Sequence, residues 1–375
     1  MALIWCDGFN HYGSSVSNML DGTWAEIYDA SSLYFSLSTT QARTGTYALK
    51  RGSSQVNGDV VARRVLGGAK TTVGVGFAFY YSILPDVNDI STLLEFRDAD
   101  NKPNVMIILQ STGDLAIYRG DTYSGTKLAQ TTSPPVIAGG FQHLEVMATL
   151  DSSVGAVEIR INGVTVLTIT GTDTVAAASE IYGFSTDANA QCSQIALSGR
   201  DPWRPSSTPD NGFEIYYSDI YAYDDDGLFN NSWQGDRRVF TLYPNVDTAQ
   251  ADWTPTTVNG YDALNAPLDD ADYISTGAPG SPDETSSEFG FDALPKTTGL
   301  VTGVSLVNRA KKTEAGSADL KAAILSDSNE TEGAVHPLNT VFTYHEDVFQ
   351  YDPATGAAFT TDAVDALEFR VSRIT

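Results

Sequence analysis

Residues 156–170 read AVEIRINGVTVLTIT. Val157, Ile159 and Ile161 fall on one side of a pleated chain, and Glu158 and Arg160 fall on the other. That period of two is a strand's, not a helix's. Asn162-Gly163 then separates two β-branched runs, and this pair supplies the backbone of a two-residue hairpin. Similar segments recur. Thr46–Arg51 alternates, and Val73–Ile83 is a long β run stopped by Pro85. Thr92–Arg97, Val105–Gln110 and Leu115–Arg119 follow one another across polar turns, as a meander does. Phe141–Leu150 places Leu144, Val146, Ala148 and Leu150 on one face, and Glu214–Tyr223 is a further strand. Val65-Leu66-Gly67-Gly68 reads as a turn. Many short strands at regular spacing predict an all-β chain, an antiparallel β-sandwich.

The chain has 375 residues, enough for more than one domain. Residues 199–212 form a Pro-rich loop, and 224–236, without periodicity, reads as a connector. The expected division is a sandwich domain over 1–228 and a smaller β-rich domain over 229–375. The start of the second, 237–299, is loop-rich and acidic. Its strands are expected at Val301–Asn308, Leu320–Leu325, Thr340–Tyr344 and Leu367–Ile374. Leu320–Leu325 equally fits a helical turn, and Thr361-Asp362 reads as the cap of a short turn over Ala363–Ala366.

The net charge is -25, and residues 201–300 carry 18 Asp and Glu against 4 Lys and Arg. A field of that sign repels phosphate backbones and anionic lipid, which argues against nucleic acid and membranes as partners. Cys6 and Cys192 form no CxxC pair and read as buried free thiols made in a reducing cytosol, with a bridge between the first strand and a late strand as the less favoured alternative. The opening MALIWCDGFNHYGSS has too short an apolar part for a secretory leader, so synthesis in the cytoplasm is expected.

Sandwiches can host glycosidases, which need paired carboxyls about 5–5.5 Å apart in the retaining case. Glu95 and Asp98 are three apart, which puts them on opposite faces of a strand. Glu145 and Glu158 stand alone on theirs, so all read as solvated strand-face acids. His11, His143, His336 and His345 show no chelating spacing. With no nucleophile, phosphate-loop or zinc motif either, no catalytic residues are assigned and no cofactor is required. Calcium is the exception to consider, with Asp224, Asp225 and Asp226 as candidate ligands, although the run lacks the spacing of a twelve-residue calcium loop. Asp269-Asp270-Ala271-Asp272 is a similar run. Asp219, mid-strand, reads as a structural hydrogen-bonding acid. Trp203 and Trp233 sit in loops and are the candidates for stacking on a sugar, whereas Trp5 and Trp24 read as core or interface.

The order of short motifs carries a resemblance. Asp7–Tyr12 (DGFNHY) is followed by Arg43–Leu49 (RTGTYAL), Phe141–Val146 (FQHLEV), Gly155–Gly163 (GAVEIRING) and the Tyr217–Tyr223 strand. Gly227–Val239 (GLFNNSWQGDRRV), Tyr243-Pro244, Asp252–Pro255 (DWTP), Ala263–Tyr273 and Asp352–Gly356 (DPATG) complete the series. This succession resembles virion structural proteins of tailed bacteriophages and related particles. The first part is similar to their concanavalin A-like, or laminin-G-like, jelly-roll domain. Phe141 and Phe359 stand where that family often has Trp, and Arg370 where it usually has Gly. The resemblance implies a non-enzymatic, oligomeric virion component, tail-associated or fibre-like or a capsid decoration protein. Its partners would be other virion proteins and copies of itself. Two other readings stay open: a carbohydrate-binding module for a host surface glycan, and a glycoside hydrolase on the same fold, for which Glu95 would be tested first.

Overall fold

The Asn162-Gly163 pair closes a hairpin between strands Gly155–Ile161 and Val164–Thr172, with φ of 49° and 80° at its two corners. Both values lie in the left-handed region that this turn demands. The computed structural model describes residues 3–27, 34–52, 61–85, 90–198, 213–265, 270–276, 285–295, 299–313 and 315–374. The chain divides into two compact units. One takes Met1–Phe9, Ser14–Leu20 and Trp24–Val239; the other takes Asn10–Gly13, Asp21–Thr23 and Phe240–Thr375.

In chain order the strands of the first unit are β1 (Leu3–Asp7), β2 (Glu26–Ile27), β3 (Phe35–Ser38), β4 (Ala48–Arg51) and β5 (Ala62–Lys70). Next come β6 (Thr72–Tyr81), β7 (Ile90–Arg97), β8 (Pro103–Gln110), β9 (Leu115–Arg119) and β10 (Thr126–Gln130). The last are β11 (Gln142–Thr149), β12 (Gly155–Ile161), β13 (Val164–Thr172), β14 (Cys192–Leu197) and β15 (Ile215–Asp224). Among the described residues they make two antiparallel sheets. The larger runs β13-β12-β11-β6-β15-β4-β3, with β1 also on β15, and the other runs β10-β9-β8-β7-β14-β5-β2. The unit is an all-β sandwich of the jelly-roll type. Phe77, Val146 and Ile159 of one sheet and Phe96, Ile107 and Ile195 of the other are wholly buried. Trp5 and Trp24 are core residues, packed edge to face at 5.8 Å.

Two irregularities matter. Val65–Gly68 is not a turn, as its glycines led us to expect, but part of β5. Gln194 lies opposite Val65 and Cys192 opposite Lys70, so the extra residues bulge out, helped by Gly67 at φ 70°. In β15, Ser218 lies opposite Ala78 but Tyr221 lies opposite Gly76, so one extra residue is inserted around Asp219, whose φ is 53°.

The second unit contains β16 (Pro244–Ala251), β17 (Thr254–Pro255), β18 (Ile274–Ser275), β19 (Thr285–Phe291), β20 (Val304–Ala310) and β21 (Asp319–Ser326). β22 (Asn329–Pro337), β23 (Thr343–Phe349), helix α1 (Thr361–Asp365) and β24 (Glu368–Ile374) complete it. A five-stranded sheet runs β16-β19-β24-β21-β22, with β17-β18 and β20-β23 as separate pairs. The ambiguous LKAAIL segment is strand: Leu320, Ala322 and Ile324 are buried, while Lys321 bonds Glu332 at 2.5 Å. The cap of α1 is Thr360, one residue earlier than expected, because its hydroxyl accepts the Ala363 N–H at 3.1 Å. Phe359 is buried in the core, and Arg370 bonds Glu288 and Glu330 at 2.6 and 2.7 Å. His11 and Tyr12 belong to this unit, where both rings meet Tyr344 edge on. Among the described residues no helix is long and apolar enough to cross a membrane.

Phe369 stacks between Phe289 and Phe291, each centroid 5.3 Å away. Phe369→Ala should lower the stability of this unit by about 3–5 kcal/mol, read from the shift of its denaturant midpoint.

Candidate functional site

The middle of the outward side of β6 carries three small residues, Gly74, Gly76 and Ala78, between the inward Val73, Val75, Phe77 and Phe79. The small residues make room for rings. A Cβ on Gly74 would lie 2.1 Å from the Tyr223 ring, and one on Gly76 would lie 2.2 Å from the Tyr221 ring. Beside them β11 presents His143 and Glu145, opposite Ala78 and Gly76. Tyr221 Oη is 3.2 Å from His143 Nε2, and Tyr223 Oη donates to Glu145 Oε1 at 3.2 Å. The Tyr221 hydroxyl spends its one proton on the Gly235 carbonyl at 2.6 Å. His143 Nε2 must therefore donate to the tyrosine oxygen, which fixes the tautomer.

All four side chains are at most 2% exposed. The cover is the chain itself. Residues 232–239 run over this face as a strap. Glu145 accepts the Gln234 N–H at 2.7 Å and the Gly235 N–H at 3.1 Å. Asp219, at the β15 bulge, accepts the Val239 N–H at 3.0 Å and the Thr44 hydroxyl at 3.0 Å. Arg43 lies 3.6 Å from Asp219 and also pairs with Asp236. Asp219 thus has the hydrogen-bonding role that its mid-strand position predicted. Burial pushes the His143 imidazole down to about 4, with Arg43, Arg237 and Arg238 acting in the same direction against Asp236. Burial, and then the Glu145 charge, raise Tyr221 and Tyr223. A histidine, a tyrosine and a carboxylate in contact are groups suited to proton transfer. Here their hydrogen bonds go to one another and to the strap.

The other candidates are placed as follows. Trp203 lies outside the described residues. Trp233 sits on the strap, half-buried, with the Arg160 guanidinium 3.8 Å from its ring centroid. The triple-aspartate run is answered by a lysine: Lys70 Nζ is 2.5 Å from Asp224 and 3.6 Å from Asp226. Asp224 is buried, whereas Asp225 and Asp226 are exposed. Of the other acidic run, Asp270 pairs with Arg309 and Asp269 lies outside the described residues. Among the described residues no three His, Cys, Asp or Glu side chains are grouped to hold a metal ion. Cys6 and Cys192 are not joined in a disulfide; Cys192 is buried and Cys6 half-buried.

Three expectations about acids are overturned. Glu95, Asp98 and Glu145 are not solvated but 0%, 0% and 1% exposed. Glu95 is paired with Arg97 on its own strand, and Glu145 is roofed by the strap. Asp98 holds a turn, accepting N–H groups of Asp100, Lys102 and Asn189 at 2.9 Å each. His336 and His345, nine positions apart, come together with centroids 5.0 Å apart, because β22 and β23 bring them there. The His143–Glu145–Tyr221–Tyr223 cluster was missed. Its signal was present as alternate small residues on one strand and a Tyr-x-Tyr on another.

No protein-family model matches the chain, and no curated protein matches it. Among solved structures, the cellulose induced protein Cip1 is similar at 18% identity, over 50% of this chain and 84% of its own, with a TM-score of 0.35. The family 7 alginate lyase AlgAT5 is similar at 14% identity, over 53% and 84%, with a TM-score of 0.35. A carbohydrate esterase of the Shiga toxin-encoding bacteriophage phi24B is similar at 13% identity, over 50% and 86%, with a TM-score of 0.34.

Glu145→Gln removes the charged acceptor of the strap. It should speed hydrogen exchange at the Gln234 and Gly235 amides by roughly tenfold or more, and unchanged exchange would refute the pinning. His143 is neutral in the fold, whereas its unfolded form takes up a proton near pH 6.5. The unfolded chain therefore binds more protons between about pH 6.5 and 4, and stability falls as pH drops through that window. The loss should reach at most ~3 kcal/mol and be absent from His143→Gln, as measured by denaturant titration at each pH.

Proposed function

We propose that the chain is a non-enzymatic structural protein of a tailed-phage virion, working by assembly with other virion proteins and with copies of itself. The observation that carries the non-enzymatic part is the strap. The His143–Glu145 cluster is closed by residues 232–239, and Glu145 receives backbone N–H groups rather than facing a cleft. The virion part is supported by the ordered motifs, whose residues do architectural work. Asp7 of DGFNHY accepts the Phe9 N–H at 2.7 Å and the Trp24 Nε1–H at 3.0 Å. Asn162-Gly163 of GAVEIRING turns a hairpin. Asp352 of DPATG accepts the Ala354 N–H and the Thr355 hydroxyl at 3.1 and 2.8 Å. The net charge of -25 keeps subunits apart in solution and leaves association to fitted surfaces.

Purified particles should contain this chain at fixed stoichiometry by mass spectrometry, and it should turn over no polysaccharide in a hydrolysis or elimination assay. Recovery only as a free protein, or turnover abolished by His143→Gln, would overturn the proposal.

A further inference from the structure

We propose that a cleft on the smaller sheet of the sandwich is a binding site for a neutral sugar unit. This inference goes beyond the assembly role and does not depend on it. Glu95 and Arg97 of β7 form the floor, and Asn101, Asp121, Tyr182 and Phe184 stand around it. The cavity holds about 50 Å³, room for hydroxyl groups or a hydroxymethyl arm but not for a whole pyranose ring. A ring bound there would lie on the rim with its substituents in the hole.

The rim is aromatic. Tyr182 is 60% exposed, Tyr123 beside it 40% and Phe184 38%. The tyrosine rings lie 5.7 Å apart, tilted by 34°. They are held there by Asp121, which accepts the N–H groups of Tyr123 and Ser124 at 2.8 Å each and that of Tyr182. The loop that carries Tyr182 and Phe184 is tied down elsewhere. Glu180 takes both prongs of Arg119 at 2.8 Å, and Asn189 donates to Asp98 at 2.9 Å. The aromatic surface is therefore presented ready-made, which lowers the ordering cost of binding.

The floor is polar. Glu95 and Arg97 are 0% and 5% exposed and pair through two guanidinium N–H groups, and Arg97 Nη1 donates to Asn101 Oδ1 at 2.8 Å. Ion pairs removed from water are costly, and an apolar pair would fill such a floor more stably. A carboxylate beside a guanidinium does match neighbouring hydroxyls, each of which donates once and accepts elsewhere. A purely apolar ligand would strip water from these charges without replacing it.

Charge narrows the class. An anionic ligand meets Glu95, Asp121 and a chain of net charge -25. A cationic ligand meets Arg97, and Lys102, whose ammonium already lies 6.0 Å over the Phe184 ring, held by Thr186 and the Asp187 carbonyl at 2.8 and 3.0 Å. Apolar C–H faces, several hydroxyls and no net charge describe a neutral pyranoside.

The test is saturation-transfer NMR on the full chain with methyl glycosides of glucose, galactose and mannose, with methyl glucuronide as the charged comparison. Transfer to ring C–H protons of at least one neutral glycoside is expected. Tyr182→Ala, at an exposed position that spares the fold, should weaken the titrated affinity by about tenfold. Tyr351→Ala, an exposed tyrosine of the second unit, should change nothing. Absence of transfer from all three neutral glycosides, a titrated affinity unchanged by Tyr182→Ala, or equal transfer from the glucuronide would each overturn the proposal. None of these results bears on whether the chain is found in particles.

Discussion

One inserted residue decides what the larger sheet can do with its outer face. Up to Ser218, β15 pairs with β6 in simple alternation, and Tyr217 points inward beside Phe77, 5.4 Å away. Continued unbroken, that alternation would send Tyr221 and Tyr223 into the sandwich core. The extra residue at Asp219 reverses the parity, so Tyr221 and Tyr223 come to lie outward, across Gly76 and Gly74. Aspartate tolerates the left-handed backbone that the bulge needs. Its carboxylate then accepts from Thr44 and from Val239, so the residue that flips the tyrosines also anchors the end of the strap.

The chemistry of the face follows from that reversal. With the tyrosines outside, His143 and Glu145 gain hydroxyl partners, and Glu145 keeps acceptor capacity for the Gln234 and Gly235 N–H groups. A carboxylate taken out of water is tolerable only when it is filled with donors in this way. The strap gains an equivalent benefit, since its buried backbone donors would otherwise be left without water. The two halves of the contact need each other, which makes this face a docking surface whose occupant is the chain's own backbone.

The alternation that made the strands legible is a local property, and so was the Asn162-Gly163 hairpin. What the sequence hid is what distant segments do to one another. Glu145 read as solvated because its roof lies 89 positions away, at Gln234. Asp224 and Asp226 read as a calcium run because nothing local shows Lys70, which reaches them through the pairing of β6 with β15. Val65–Gly68 read as a turn because glycines mark turns and bulges alike; the partner strand decides which. LKAAIL was ambiguous because only Lys321 breaks its apolar run, too little to separate a period of two from 3.6. The Trp233 ring read as free for a sugar because Arg160 lies 73 positions earlier, on a strand that the connector crosses.

The two buried glutamates of the sandwich also differ in a way that bears on recognition. Glu145 is satisfied mainly by backbone N–H groups, which are fixed in number and direction, and its surroundings are closed. Glu95 is satisfied in part by Arg97, and both side chains line an opening rimmed by exposed aromatics. A backbone-filled acid is used up by folding, whereas an acid held by a guanidinium at the base of a cleft leaves a paired donor and acceptor along the cleft's floor. The same residue type on the two sheets of one sandwich therefore serves cohesion in one place and leaves recognition available in the other, and only the cover over each tells them apart.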